Sequence, residues 1–317
     1  MHLTISLRVQ FSYSEIFINF VKIKDQFKNG VQRLIQAGIP EPELEVSLLL
    51  AHVLDIDRTA LLLAEDQDMD DNQLEKFELF IVRRLHREPL AYITEEKEFW
   101  SLSFKVSKDV LIPRPETELL IETTLKTLKG LLSYPEEQNI NILDLGTGSG
   151  IIAIVFALEL PAAAITAIDL SYRALKVAKH NAKRHKVVKR IHFINCDWFG
   201  GISSKAKYDL VLANPPYIAK EILKKPFGET HESLQPEVVS YEPDLALDGG
   251  ERGIQSIHRI AQDLRERLKS GGWFFMEIGA DQADEVFDIF EGAASYDNIA
   301  IHKDYAGLAR VFQARKK

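Results

Sequence analysis

The sequence predicts an α/β protein, an open and mostly parallel sheet preceded by a small helical bundle. Three observations predict it. Residues 139–145 read as a strand that runs into the glycine-rich turn Gly146-Thr147-Gly148-Ser149-Gly150 and then into an apolar helical stretch at 151–160. A second strand, 163–169, follows about twenty residues on and ends in Asp169. A third apolar run, 208–213, is rich in Leu and Val, as a strand buried on both faces would be, and it stops at Asn214-Pro215-Pro216-Tyr217 because the two prolines cannot continue a ladder. Each strand thus ends in residues able to do chemistry, and open α/β sheets bind ligands at their strands' carboxyl ends.

The remaining elements follow in chain order. Residues 1–24 are mixed and apolar-leaning, without a signal-peptide layout, and read as an extension of unclear role. Residues 25–95 hold the bundle: Val31, Leu34, Ile35 and then Leu44, Leu48, Leu49 recur at helical spacing, with Gly30, Gly38 to Pro40 and the acidic stretch 65–71 as breaks. Alternating Phe99, Leu102, Phe104 and Val106 predict a hairpin linker over 96–113. The catalytic domain then spans 114–317. Pro113 and Pro115 stiffen the approach to a helix beginning near Glu116, whose first-turn acids Glu116 and Glu118 complement the helix dipole. A strand at 190–195 ends in Cys196-Asp197-Trp198-Phe199. Strands at 271–278, 299–302 and 308–314 and helices at 254–269 and 281–290 complete a seven-stranded sheet. The connection 228–253 is long, polar and glycine-bearing, and is expected to close over the target.

The strand ends define the chemistry. Glycines let the backbone approach a ligand, and the following helix offers free amide groups. The spacing Gly146-x-Gly148-x-Gly150 lacks the G-x-G-x-x-G interval of a dinucleotide fingerprint, so the methyl donor S-adenosylmethionine fits better than a nicotinamide cofactor. Asp169 is placed to hold a ribose hydroxyl pair, Asp197 to meet an exocyclic amine, and Trp198 to border an adenine. A carboxamide nitrogen has a delocalised lone pair and two N–H donors, so it needs to be held and polarised before it attacks. Asn214 and the peptide after it offer two acceptors, the prolines restrict their freedom, and Tyr217 adds a flat face. This is a site for methyl transfer to an amide or amine nitrogen.

Composition narrows the classes. The 317 residues suit about two domains, and a 46% hydrophobic content supplies ordinary cores. No apolar run reaches the roughly 18 residues of a membrane span, and a single cysteine excludes an intrachain disulfide, so a cytoplasmic setting is expected. A formal charge of −8 opposes nucleic-acid binding, although residues 173–190 contain eight Lys or Arg and no acid, which reads as a solvated helix face. The nine histidines show no metal spacing, and Cys196 reads as a small buried hydrophobe.

From about residue 25 onward the chain resembles the HemK family of protein-glutamine N-methyltransferases. The resemblance rests on Pro89 to Ile93, Ile112-Pro113-Arg114-Pro115-Glu116-Thr117-Glu118, Leu143 to Gly150, Asn214 to Tyr217, Glu242-Pro243 with Ala246-Leu247, and Gly307 with Arg310-Val311. The run from Arg114 to Glu118 resembles the branch acting on release factors, rather than its ribosomal-protein sister. Glu95, where members often carry Gly, and Leu308-Ala309 before Arg310, where an acid is common, depart from the pattern. The resemblance implies a class I Rossmann-like methyltransferase fold, S-adenosylmethionine as donor, and the glutamine of the Gly-Gly-Gln motif of peptide chain release factors as substrate. It implies a recognition role for the helical bundle, a donor site made by Gly146 to Gly150, Asp169, Asp197, Trp198 and Asn214, and a substrate grip made by Asn214, Pro215, Pro216 and Tyr217.

Overall fold

The computed structural model describes residues 21–131, 135–225 and 234–317. The expected extension therefore lies almost wholly outside the described residues. The chain divides into two compact units at His86/Arg87.

In the first unit, β1 (Val21–Lys22) pairs antiparallel with β2 (Asp68–Met69), beside helices α1 (Ile23–Gln36), α2 (Pro42–Leu54), α3 (Arg58–Leu63) and α4 (Asp71–Leu85). Helix α4 opens with a capping box in which Asp70 and Gln73 satisfy each other's backbone amides. Gly30, expected as a break, lies inside α1 instead. A Cβ there would come within about 3.2 Å of Phe77 and Val46, so its missing side chain lets α1 approach α2 and α4 closely.

The second unit opens with the short helix α5 (Leu90–Thr94) and the hairpin of β3 (Glu96–Phe99) and β4 (Leu102–Lys105). The α5 segment belongs to this unit because the Tyr92 hydroxyl donates to the Val110 carbonyl at 2.6 Å in its interior. Helix α6 (Glu116–Leu131) precedes the sheet, and Glu118 ties it to the hairpin by accepting from the Trp100 amide at 2.7 Å.

The sheet has seven strands. In chain order they are β5 (Asn141–Leu145), β6 (Ala164–Asp169), β7 (Ile191–Asn195), β8 (Tyr208–Ala213), β9 (Leu268–Glu277), β10 (Tyr296–Lys303) and β11 (Ala309–Lys316). Their spatial order is β10-β11-β9-β8-β5-β6-β7, parallel except for β11, which runs antiparallel to both of its neighbours. The chain winds outward from β5 through β6 to β7 and then returns to place β8 and β9 on the other side. The switch point therefore falls between β5 and β8, and their carboxyl ends carry the glycine turn and Asn214.

Helices cover both faces. Helix α6, α7 (Ile151–Glu159) and α8 (Tyr172–Arg184) pack on the face presenting Ile142, Leu210, Leu212 and Phe275. The face presenting Leu143, Leu145, Val211 and Phe274 is covered by the segments Gln255–Arg267 and Ala283–Glu291. Residues 151–157 of α7 are all buried, as their unbroken apolar run requires, and each large aliphatic side chain so placed contributes about 1.5–3 kcal/mol. The connection expected as a long polar loop is more structured than its composition suggests. After the short helix α9 (Lys220–Leu223), it holds helices α10 (Pro236–Tyr241) and α11 (Asp244–Leu247), with proline supplying the first residue of α10, while residues 226–233 lie outside the described residues. Helices α12 (Gln255–Arg267) and α13 (Ala283–Glu291) complete the fold. No helix among the described residues is long and apolar enough to cross a membrane.

Candidate active site

A cavity of about 500 Å³ opens at the switch point, a volume suited to a small-molecule ligand. Its wall includes Gly146 to Ser149, Asp169, Asp197, Trp198, Asn214 and Pro216, so four separate strand ends converge on one space. Arg114 before α6, Thr117 in its first turn, and Pro243 to Ala246 around α11 complete the lining.

The glycine turn is shaped for a ligand at two of its three glycines. Gly146 and Gly148 adopt φ of +74° and +55°, a region that disfavours any side chain, and a Cβ on Gly146 would sit 3.9 Å from both the Asn214 carbonyl and the Trp198 ring. Gly150, expected to join the donor site, is not among the residues lining the cavity. Its φ is +87° and its Cβ would lie 3.1 Å from Ala178 and Ile154, so it is a packing position where α7 meets α8. Beneath the turn, Asp144 is fully buried. Its Oδ2 accepts from the Thr147 hydroxyl at 2.6 Å and the Ala153 amide at 3.2 Å, while Oδ1 finds no partner. Burial, the dominant influence, pushes its carboxyl up to about 7 against those two bonds.

Asp169 accepts from the Gly148 amide at 2.8 Å through one oxygen and from the Ser171 amide at 2.7 Å through the other. Burial raises its carboxyl above the ordinary range, opposed by the two amide donors. A carboxylate has about four acceptor positions, so each oxygen retains capacity for a hydroxyl. Asp197 is half-exposed and its Oδ2 receives Arg259 at 2.5 Å, a partner that sequence reasoning did not foresee. Trp198 is held at φ +45° and stands beside Gly146. Cys196, expected as buried, is half-buried on the cavity wall, and its Sγ donates to the Trp198 carbonyl at 3.3 Å. These residues fit a nucleoside-bearing donor: a positive-φ glycine cradle, an acidic acceptor pair, and an aromatic wall.

Around Asn214 the arrangement is specific. Ala213 pairs in register with Met276, so the next residues, Asn214 and Glu277, stand side by side at the carboxyl ends of β8 and β9. Asn214 Nδ2 donates to Glu277 Oε2 at 2.9 Å and to Thr117 Oγ1 at 3.1 Å. The Thr117 hydroxyl in turn donates to Glu277 Oε2 at 2.7 Å, and the Tyr217 hydroxyl donates to Glu277 Oε1 at 3.1 Å. Neither Tyr217 nor Pro215 is among the residues lining the cavity, and the Tyr217 hydroxyl is directed at Glu277. Burial, reinforced by Glu277, holds the Tyr217 phenol well above its ordinary value and keeps it a donor. Glu277 is fully buried, which raises its carboxyl, while Thr117 and Tyr217 oppose the rise. Asn214 Oδ1 has no hydrogen bond among the described residues. Sequence reasoning missed Glu277, although an acid ending an otherwise apolar strand was a visible signal.

The Arg114 to Glu118 run has a structural account as well. Arg114 binds Glu242 at 2.5 Å, and Glu242 also accepts from the Ile112 amide at 3.1 Å, so two motifs far apart in sequence brace one side of the cavity.

Known proteins share this chain's sequence and fold. Residues 25–94 match the family description "PrmC N-terminal domain" and residues 117–233 match "Methyltransferase small domain". A "Release factor glutamine methyltransferase" of Koribacter versatilis is 37% identical over 295 residues, covering 93% of this chain and 98% of that protein. A "Bifunctional methyltransferase" of Rickettsia typhi is 40% identical over 305 residues, covering 92% of this chain, which spans only 57% of that longer protein. The hMettl16 catalytic domain, solved in complex with MAT2A 3'UTR hairpin 6, shares the fold at a TM-score of 0.52 and 14% identity, over 77% of this chain and 81% of that one. Identity sustained over almost the whole length of the Koribacter protein is decisive: this chain belongs to the release factor glutamine methyltransferase family.

Proposed function

We infer that this protein methylates the side-chain amide nitrogen of the glutamine in the Gly-Gly-Gln motif of peptide chain release factors, using S-adenosylmethionine. The observation that carries the reading is Asn214, on the cavity wall at the switch point, with Nδ2 anchored and Oδ1 unclaimed. The donor, bound along the glycine turn, supplies an electrophilic methyl group on a sulfonium centre. Gly146, Thr147, Gly148 and Ser149 cradle its amino-acid and ribose part. Asp169 takes the ribose hydroxyls, and Asp197 and Trp198 border the adenine.

The chain's own residues then act on the glutamine amide. Asn214 Oδ1, on the cavity wall, and the Pro215 carbonyl, next in the chain and just off that wall, accept its two N–H groups, which fixes the amide plane and brings the nitrogen to a near-attack position. Pro215 and Pro216 keep those acceptors from drifting. Acceptors aimed at the N–H groups also stabilise the positive charge that would grow on nitrogen as the new N–C bond forms and the methyl–sulfur bond breaks, the donor leaving as neutral S-adenosylhomocysteine and the nitrogen's proton passing to water. No strong base is required, because the proton becomes acidic only once the bond is made.

The helical unit at the N-terminus is assigned to release-factor recognition. It presents apolar Leu62 and Leu63 to solvent. The charge of −8 favours a protein substrate over nucleic acid, and a lone cysteine suits a reducing cytoplasm. The test is methyl incorporation from labelled S-adenosylmethionine into a release factor, the same factor with its Gly-Gly-Gln glutamine replaced by alanine, and duplex DNA. Label is expected on the intact factor alone, and Asn214→Ala should lower its rate about 10²–10³-fold. Label on DNA, or on both factors equally, would overturn the assignment.

A further inference from the structure

Glu277 has no place in the grip on the glutamine just described, yet more of the site's polar groups converge on it than on any other residue of the cluster. Thr117 and Asn214 donate to Oε2 and Tyr217 donates to Oε1, and the group is fully buried. Three donors directed at two oxygens suit the ionised carboxylate, which only accepts. The carboxamide of asparagine is nearly symmetric in shape, so nothing about its own size prevents it from rotating by half a turn. With Nδ2 and Oδ1 exchanged, Asn214 would present a donor to the substrate's N–H groups, and the grip would become a repulsion.

We propose that Glu277 is the positioning residue of the transfer: its buried carboxylate holds Asn214 Nδ2, and so keeps Oδ1 turned to the substrate amide. The inference rests on the glutamine reading above and adds to it the device that makes Asn214 usable. Thr117 completes the device, since its hydroxyl donates to Glu277 and accepts from Asn214, which leaves Asn214 no competing orientation. Polarisation runs the same way. A carboxylate bound to the N–H side of a carboxamide makes its oxygen a better acceptor, and the low dielectric of the interior strengthens the chain of bonds.

The arrangement is sensitive to protonation. A proton on Glu277 turns an acceptor into a donor and removes the discrimination between the two amide orientations. The charged and titratable groups acting on it are Tyr217 in the turn after β8, Glu116 of α6 and Arg310 of β11, which is itself held by Asp304 at 3.0 Å, while Arg114 before α6 acts on Tyr217. Burial raises the carboxyl from its ordinary 4.5, so the proton returns at a higher pH than for an exposed glutamate.

The experiment is kcat against pH for the full chain methylating a release factor, wild type beside Glu277→Gln, with donor affinity and Tm measured for both. Glutamine keeps the volume but carries a donor as well as an acceptor. The wild type is expected to lose kcat on acidification with a midpoint above 4.5. Glu277→Gln is expected to show kcat lowered about 100-fold, no acid limb, and donor affinity within about threefold of wild type. A variant within about threefold of wild-type kcat, or one that is slow but keeps the wild-type acid limb, would overturn the proposal. If Glu277→Gln fails to fold, Thr117→Val decides: kcat about tenfold lower with the acid limb retained supports the device, and unchanged kcat sinks it. A wild-type chain inactive on release factor would instead refute the underlying reading, so the two failures are distinct.

Discussion

At the residue scale, several departures from expectation have simple backbone or burial causes. Glu95 caps α5 at φ +57°, a left-handed conformation in which a Cβ costs about 1–2 kcal/mol, which is a physical reason for the glycine that the family resemblance leads one to expect there. Arg310 lacks an acid beside it in sequence, but Asp304 supplies one across the turn before β11. Asp144 makes the sharpest prediction. Its carboxyl is raised from 3.8 to about 7, so the folded chain holds a proton there that the unfolded chain has released. Its stabilising share is full below about pH 4, falls as pH rises to 7 and is gone above that, an effect of at most about 4 kcal/mol. Asp144→Asn keeps an acceptor for Thr147 without the charge. Its Tm relative to wild type should therefore climb between pH 5 and 8, whereas a constant difference across that range would show that the buried charge does not govern stability.

At the element scale, the cavity depends on braces between segments that have little regular structure of their own. The stretch before α6 and the one between α10 and α11 are joined by Arg114 and Glu242. The Glu242 side chain is only 1% exposed, so removing its partner leaves a buried carboxylate with one amide donor, from Ile112. Arg114→Ala should destabilise the chain by about 2–3 kcal/mol, less than a fully buried pair because Arg114 itself is partly solvated. The measurement is the urea midpoint. The double variant Arg114→Ala/Glu242→Gln should recover part of the loss, and if it is additive the pair does not act as a unit.

For the whole molecule, the question is how a protein substrate is chosen. The basic stretch on α8 and the turn after it is largely spoken for: Arg184 pairs with Glu96, Arg190 donates to the Ala157 and Leu160 carbonyls, and Lys176 and Lys179 lie over the Tyr172 and Phe193 rings. It is a solvated helix face with aromatic supports. On the helical unit, Leu62 and Leu63 are 74% and 85% exposed, large apolar groups that a recognition surface would use. Changing both to serine should raise the KM for a release factor about tenfold and leave donor affinity and Tm unaltered. An unchanged KM would remove these leucines from the recognition surface.

The sequence by itself determined the elements and the places where chemistry sits. Continuous apolar runs mark strands buried on both faces, glycines mark a turn that admits a ligand, and prolines after Ala213 mark a strand's end, all properties of a few neighbouring residues. Gly146 to Ser149, Asp169, Asp197, Trp198, Asn214 and Pro216 were legible in this way and meet around one cavity. The tertiary structure alone decided their partners. Glu277 lies 63 residues from Asn214, and Thr117 lies 97 residues from it. They meet because parallel strands are joined by long crossovers, so neighbours in the sheet are strangers in the chain. The same holds for Arg259 on Asp197, and for Gly150, whose place against Ala178 follows from how α7 crosses α8. Periodicity encodes which side of an element is buried, but the identity of what lies across from it is fixed only when the sheet is assembled.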